Sequence, residues 1–164
     1  MNRFLPSIIA ILLAGCLPIV AQAKAWRGLV PLRSTRADVE RLLGKPGQYG
    51  RYQFDRERAY INFAGPGPCN EMNSCLCLVS EDTIVSIFIE LEVEMLFSRL
   101  GVDKKKYIKQ VSPQDPNLAT YSNRDAGIIY TVNQAEDDVL TIEYLPTASA
   151  CKQVKRKNRP SKRP

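Results

Sequence analysis

The sequence predicts an α+β protein in which one antiparallel sheet carries short helices on one face. Two observations lead to this fold class. Segments with alternating apolar residues recur through residues 51–144. The order helix, strand, strand, strand is also read twice, over pseudo-repeats at about 28–93 and 94–146. Strands joined by short turns pair antiparallel, so the two helix–β–β–β units are expected to share one sheet.

The first predicted element is a short helix within residues 34–46. Thr35 can cap its start, and Asp38 is placed three residues later as the partner in a capping box. Gly44 suits the left-handed position after a helix, and Pro46 prevents the helix from continuing. The apolar stripe that would face the sheet consists of Val39, Leu42 and Leu43.

Extended segments follow this helix. Residues 51–55 and 59–63 carry aromatic and branched side chains on either side of a short turn, which predicts a hairpin. Residues 83–93 then alternate as a strand, and one face would carry the carboxylates of Glu90, Glu92 and Glu94. Such a row could hold a cation or supply an acid/base pair. The favoured interpretation is a solvated strand face or edge that resists aggregation.

The second half is predicted to repeat the plan of the first. Residues 94–101 and 103–110 are expected to be helical. Strands are expected at residues 119–122, 127–132 and 139–144, because turn-forming residues separate these segments.

Residues 1–23 have the three parts of a bacterial signal peptide. Arg3 gives a positive start, residues 4–20 contain no charge, and residues 21–23 form a small-x-small cleavage site. Cleavage there would leave a single domain at residues 24–151, exported to the periplasm or secreted.

A second processing route is open at Cys16. Residues 13–16 match a bacterial lipobox, in which the cysteine is lipidated and becomes the new N-terminus. That route would give a membrane-anchored lipoprotein. Residues 17–20 are apolar, whereas a lipoprotein usually continues with a polar tether, so soluble export is the favoured alternative.

Basic residues are concentrated at the C-terminus. The chain has 23 Lys+Arg and 17 Asp+Glu, but residues 152–164 contain no acid. Their basic residues are Lys152, Lys155, Arg156, Lys157, Arg159, Lys162 and Arg163. The segment has no apolar periodicity, which predicts a disordered tail. The favoured interpretation is a solvated terminus. The alternative is attachment to an anionic surface, which could be membrane lipid head groups, lipopolysaccharide or an acidic partner protein. Nucleic acid fits the charge but not an exported protein.

Four cysteines follow the signal segment: Cys69, Cys75, Cys77 and Cys151. An even number in an exported chain predicts two disulfides. Cys75 and Cys77 are too close to bridge across one residue, so Cys151 is expected to bond to the loop at 69–77. Zinc is disfavoured because the chain has no histidine. The same absence excludes nucleophile systems with a histidine base, so no catalytic residue, metal or cofactor is expected.

Residues 28–46 resemble the opening of the SmpA/OmlA (BamE-like) family, in which a loop, a capped helix and an LLG-x-P sequence precede an antiparallel sheet. The whole plan is similar to the tandem β-lactamase-inhibitor-protein fold. Residues 26–28 and 142–146, with Cys151, also resemble a group of short, uncharacterised secreted bacterial proteins. The first resemblance implies an outer-membrane lipoprotein that supports assembly of barrel proteins, a role that Cys16 would fit.

Together these features predict an exported, non-catalytic binding or scaffold protein of the bacterial envelope. Its expected partner is another envelope protein, and its oligomeric state is left open. One alternative is an inhibitor of a secreted hydrolase, by analogy with the tandem inhibitor fold. Another is a hydrolase that uses carboxylates alone.

Overall fold

The computed structural model describes residues 24–65 and 75–157. Within them the chain forms one antiparallel sheet of seven strands and two α-helices. The helices are α1 (Arg36–Leu43) and α2 (Ala148–Lys157). The strands are β1 (Arg51–Gln53), β2 (Glu57–Phe63), β3 (Ile84–Leu91), β4 (Ile108–Val111), β5 (Leu118–Asn123), β6 (Ile128–Asn133) and β7 (Asp138–Tyr144). The predicted α+β class and single antiparallel sheet are confirmed.

Helix α1 begins and ends as its sequence predicts. The Thr35 hydroxyl accepts a hydrogen bond from the backbone N–H of Asp38, while the Asp38 carboxylate accepts one from the N–H of Thr35 at 2.9 Å. Gly44 follows with a φ of 79°, and its N–H donates to the carbonyl of Glu40. Val39 is fully buried, and with Leu43 it fixes α1 against the sheet.

The strand order is β1-β2-β3-β7-β6-β5-β4, so the last strand lies in the middle of the sheet. Pairing brings Ala59, Ile89, Ile142 and Tyr130 side by side in one row. This row faces the core. One cluster forms around Trp26, Leu29, Val39, Ile84, Ile87 and Ile89, and a second around Phe97, Tyr121, Tyr130, Val132 and Val139.

The other face of the sheet, here called the open face, carries the side chains that alternate with the core residues. One row across it consists of Tyr60, Phe88, Glu143, Ile129 and Ser122. The next row consists of Arg58, Glu90, Thr141, Thr131 and Thr120. All ten residues are partly exposed, whereas the row on the core face is mostly buried.

The second half of the chain differs from the predicted repeat. The helix expected at 103–110 is a single 3-10 turn (Lys104–Lys106) followed by β4, and the one expected at 94–101 is a 3-10 turn (Phe97–Leu100). Gly101, with a φ of 64°, ends that turn. Pairing of Ile108–Val111 with β5 outweighs the weak helical pattern, because ladder hydrogen bonds satisfy the backbone there.

The predicted disordered tail is wrong for residues 152–157, which continue helix α2. Two contacts order this polar segment. The hydroxyl of Thr147 accepts from the N–H of Ala150 at 3.1 Å, as a helix cap does, and Cys151 is bonded to Cys75. Residues 158–164, the predicted signal peptide at 1–23 with Cys16, and Cys69 lie outside the described residues.

A search for membrane-spanning helices within the described ranges finds none that combines sufficient length with sufficient apolar character.

Candidate functional site

Glu143 lies on β7 at the centre of the open face. The register places Phe88 of β3 on one side of it and Ile129 of β6 on the other. Burial between these strands raises the pKa of the Glu143 carboxyl. Among the described residues, none donates a hydrogen bond to it or forms an ion pair with it. A half-buried carboxylate without a partner destabilises the folded protein. Burial at this position therefore favours either protonation of the carboxyl or its pairing with a cation from a bound molecule.

A groove of about 520 Å³ runs beside Glu143 toward the start of α2. Its apolar lining comes from Ile108, Ile129, Leu145 and Pro146, and its polar lining includes Thr120, Ser122, Thr131 and the exposed Arg124. Gly127 also lines the groove, and its carbonyl accepts a hydrogen bond from the N–H of Leu145 at 2.8 Å. The groove therefore combines apolar surface, small hydroxyl groups, one arginine and one carboxylate that has no partner among the described residues.

The predicted row of three carboxylates is only partly formed. Glu90 and Glu92 share the open face, as the alternation predicted, but Arg58 lies between them. Its Nε is 2.7 Å from Glu92 Oε1 and 3.6 Å from Glu90 Oε2, in ionic contact without the angle of a hydrogen bond. Gln53 also donates to Glu92 at 2.9 Å. Glu94 lies beyond the end of β3, beside a separate cavity. Glu90 and Glu92 thus share one positive charge within the protein.

Sequence analysis missed Glu143 as a site residue. The available signal was local: Glu143 is the one acid among the apolar and hydroxyl side chains of residues 139–145. The strand register distinguishes Glu143 from Glu90. The residues paired with Glu143 on β3 and β6 are Phe88 and Ile129 and not a basic residue.

The disulfide expected for Cys151 joins it to Cys75, with 5.1 Å between the two Cα atoms. The bond ties α2 to the 3-10 turn at Leu76–Leu78, whose backbone includes Cys77. Of the predicted basic residues, Lys152, Lys155, Arg156 and Lys157 are exposed on α2. Arg159, Lys162 and Arg163 lie outside the described residues. A disulfide is typical of proteins from oxidising compartments.

A second cluster of charged side chains surrounds Arg27. This residue has a φ of 47° in the tight turn between Trp26 and Leu29. Its guanidinium stacks over Phe54, 3.9 Å from the ring centroid, and pairs with Glu57 at 3.0 Å. Trp26 Nε1 donates to the same Glu57 oxygen at 3.2 Å. These contacts hold the turn at Trp26–Leu29 against β2. The charged groups of this cluster therefore already pair with one another.

Among the side chains that the structure describes, no three His, Cys, Asp or Glu residues come close enough together to hold a metal ion.

No family model matches the chain, and no match is found among the curated proteins or among the solved structures. The resemblance to the SmpA/OmlA family and to the tandem inhibitor fold therefore stays a prediction.

Proposed function

We propose that this protein is a non-catalytic binding protein of the bacterial cell envelope that docks a protein partner on the open face of its sheet. In the complex, a lysine or arginine of the partner pairs with Glu143. The observation that carries the proposal is the half-buried Glu143 carboxylate, which has no partner among the described residues although Glu90 and Glu92 on the same face share one.

The size and composition of the open face suit a protein rather than a small molecule. Seven strands spaced about 4.8 Å apart and about 20 Å long give roughly 600 Å². That approaches the roughly 800 Å² per partner of a standard protein interface. Tyr60 and Phe88 stand in contact on this face, with ring centroids 6.2 Å apart, and aromatic residues are enriched in interfaces.

Envelope location rests on two features of different kinds. The Cys75–Cys151 disulfide is the kind of bond that persists in the periplasm or outside the cell. Residues 1–23, which lie outside the described part of the chain, have the pattern of an export signal.

Site-specific photocrosslinking tests the docking face. A photoreactive amino acid is placed at Tyr60 or Ile129 on the open face and, as a control, at the exposed loop residue Gln114. We expect an envelope protein to be captured from the two open-face positions and not from Gln114. Equal capture from all three positions would contradict a dedicated face.

Affinity measured with the purified partner then decides the role of the carboxylate. Glu143→Gln removes the charge and keeps the shape, so it is expected to weaken binding at least tenfold, as loss of a partly buried charge pair does. Glu81→Gln, at an exposed turn, is the matched control and leaves the affinity unchanged. Unchanged affinity of the Glu143 variant would overturn the proposal. If the partner is a protease or β-lactamase whose activity falls on binding, the docking protein acts as its inhibitor.

A further inference from the structure

Helix α2 exposes four basic side chains, those of Lys152, Lys155, Arg156 and Lys157. Cys151 is bonded to Cys75, and Val154 lines the groove between α2 and Leu78, so the side of α2 carrying residues 151 and 154 faces the body of the protein. Lys152 and Arg156, one turn apart, are exposed on the opposite side, and Lys155, one turn after Cys151, is exposed at the flank of the helix. From residue 144 to residue 164 the chain contains no acid.

We propose that this exposed surface of α2 attaches the protein to the surface of an anionic phospholipid bilayer. A charged membrane surface attracts basic residues over the range of a Debye length, and each such residue strengthens binding by about fivefold. Lys157 lies at the end of the same helix, and Arg159, Lys162 and Arg163 follow it in the sequence, so the positive charge continues past the helix.

The composition of the helix favours a lipid surface over a protein partner. The core of a protein interface is enriched in aromatic residues and depleted in lysine. The exposed surface of α2 has the opposite composition, because its large side chains include Lys152, Lys155 and Arg156, while Val154 lines the groove beside Leu78. Without an apolar side chain to insert, attachment is electrostatic and peripheral.

This surface uses none of the residues proposed to dock a partner on the open face, so either proposal can fail without the other. The disulfide links the attachment to the fold, because Cys75 and Cys151 hold the helix that carries the charges.

Vesicle co-sedimentation tests the attachment. The oxidised protein, purified after export, is mixed at low salt with vesicles of equal parts phosphatidylglycerol and phosphatidylcholine, or of phosphatidylcholine alone. We expect binding to the anionic vesicles only, with a steep loss as salt is raised. K152Q/K155Q/R156Q is expected to bind about a hundredfold more weakly, from three losses of about fivefold each.

The matched control is K104Q/K105Q/K106Q, which removes the same charge from another exposed segment and is expected to bind like the wild type within about twofold. Equal loss in both variants would overturn the proposal in favour of a net-charge effect. The proposal also fails if R159Q/K162Q/R163Q abolishes binding while the helix variant binds like the wild type. Preferential binding to soluble polyglutamate would overturn it in favour of an acidic protein.

Discussion

Gly127→Ala tests the close contact between the end of β7 and the start of β6. Gly127 has a φ of +63°, where side chains are strained, and its carbonyl accepts the N–H of Leu145. An added Cβ would overlap the carbonyl oxygen of Leu145 and lie 3.2 Å from Thr147 Cγ2. Leu145 and Thr147 lead from Glu143 to α2, so this contact positions both proposed binding surfaces.

The size of the effect follows from a comparison with Gly101. Gly101 has nearly the same φ, +64°, but nothing lies within 4 Å of its added Cβ. A left-handed backbone costs alanine about 1–2 kcal/mol, and the reduced entropy of the unfolded chain offsets about 0.4–1 kcal/mol of that. Gly101→Ala should therefore lower the free energy of unfolding by about 1 kcal/mol. Overlap at Gly127 adds about 1–3 kcal/mol, as overpacking does, for a total of about 2–4 kcal/mol.

Urea unfolding followed by fluorescence measures both variants. Trp26 is the single tryptophan of the chain and is 6% exposed, so its emission reports on unfolding of the core. The decisive quantity is the difference in the free energy of unfolding between Gly127→Ala and Gly101→Ala. The comparison holds when both variants keep the wild-type slope of that free energy with urea concentration. Equal destabilisation of the two variants would refute the close contact between Gly127 and the chain leaving β7.

Three further predictions concern the disulfide, the two faces of the sheet and pH. Replacing Cys75 and Cys151 together with serine should lower the free energy of unfolding by about 4 kcal/mol, because the bond closes a loop across a sequence separation of 76. A loss below about 1 kcal/mol in chemical denaturation would contradict this. Phe97→Ala should cost about 3–5 kcal/mol because the side chain is 1% exposed, whereas Phe88→Ala on the open face should cost less than half as much. Similar losses would mean that the open face is covered. Burial raises the pKa of Glu143 above its ordinary 4.5, so the folded protein loses stability as the pH rises through that raised pKa. Without a partner, Glu143→Gln should unfold at higher urea than the wild type at neutral pH, and the gap should shrink below pH 4.5. A gap that does not change with pH would contradict the assigned burial.

Features fixed by neighbouring residues could be predicted from the sequence. The cap of α1 depends on Thr35 and Asp38, three positions apart, and its end depends on Gly44. The core side of β3 follows in the same way, because Ile87 and Ile89 alternate with Ser86, Phe88 and Glu90 and both are buried. These determinants lie within one turn or one strand, so the tertiary structure adds little to them.

Features fixed by distant residues could not be predicted. Strand β4 is an edge strand with Ile108 and Val111 exposed, so burial imposes no alternation on its sequence, and pairing with β5 alone makes it extended. The polar residues 152–157 have no apolar stripe of their own and are helical where a disulfide to Cys75 holds them. In both cases the deciding contact lies outside the segment itself.

The same distinction explains why Glu143 is the acid that we propose for partner binding. Alternation shows which face an acid occupies, but only the pairing of strands shows what lies opposite. Glu90 is opposite Arg58 and forms an ion pair with it, whereas Glu143 is opposite Phe88 and Ile129. A carboxylate in such a place reduces the stability of the free protein, and a neutral side chain would avoid that cost. A basic residue supplied by the partner would convert this cost into binding energy. One substitution, Glu143→Gln, should therefore stabilise the free protein at neutral pH and weaken the complex, and a merely structural glutamate would not produce the second effect.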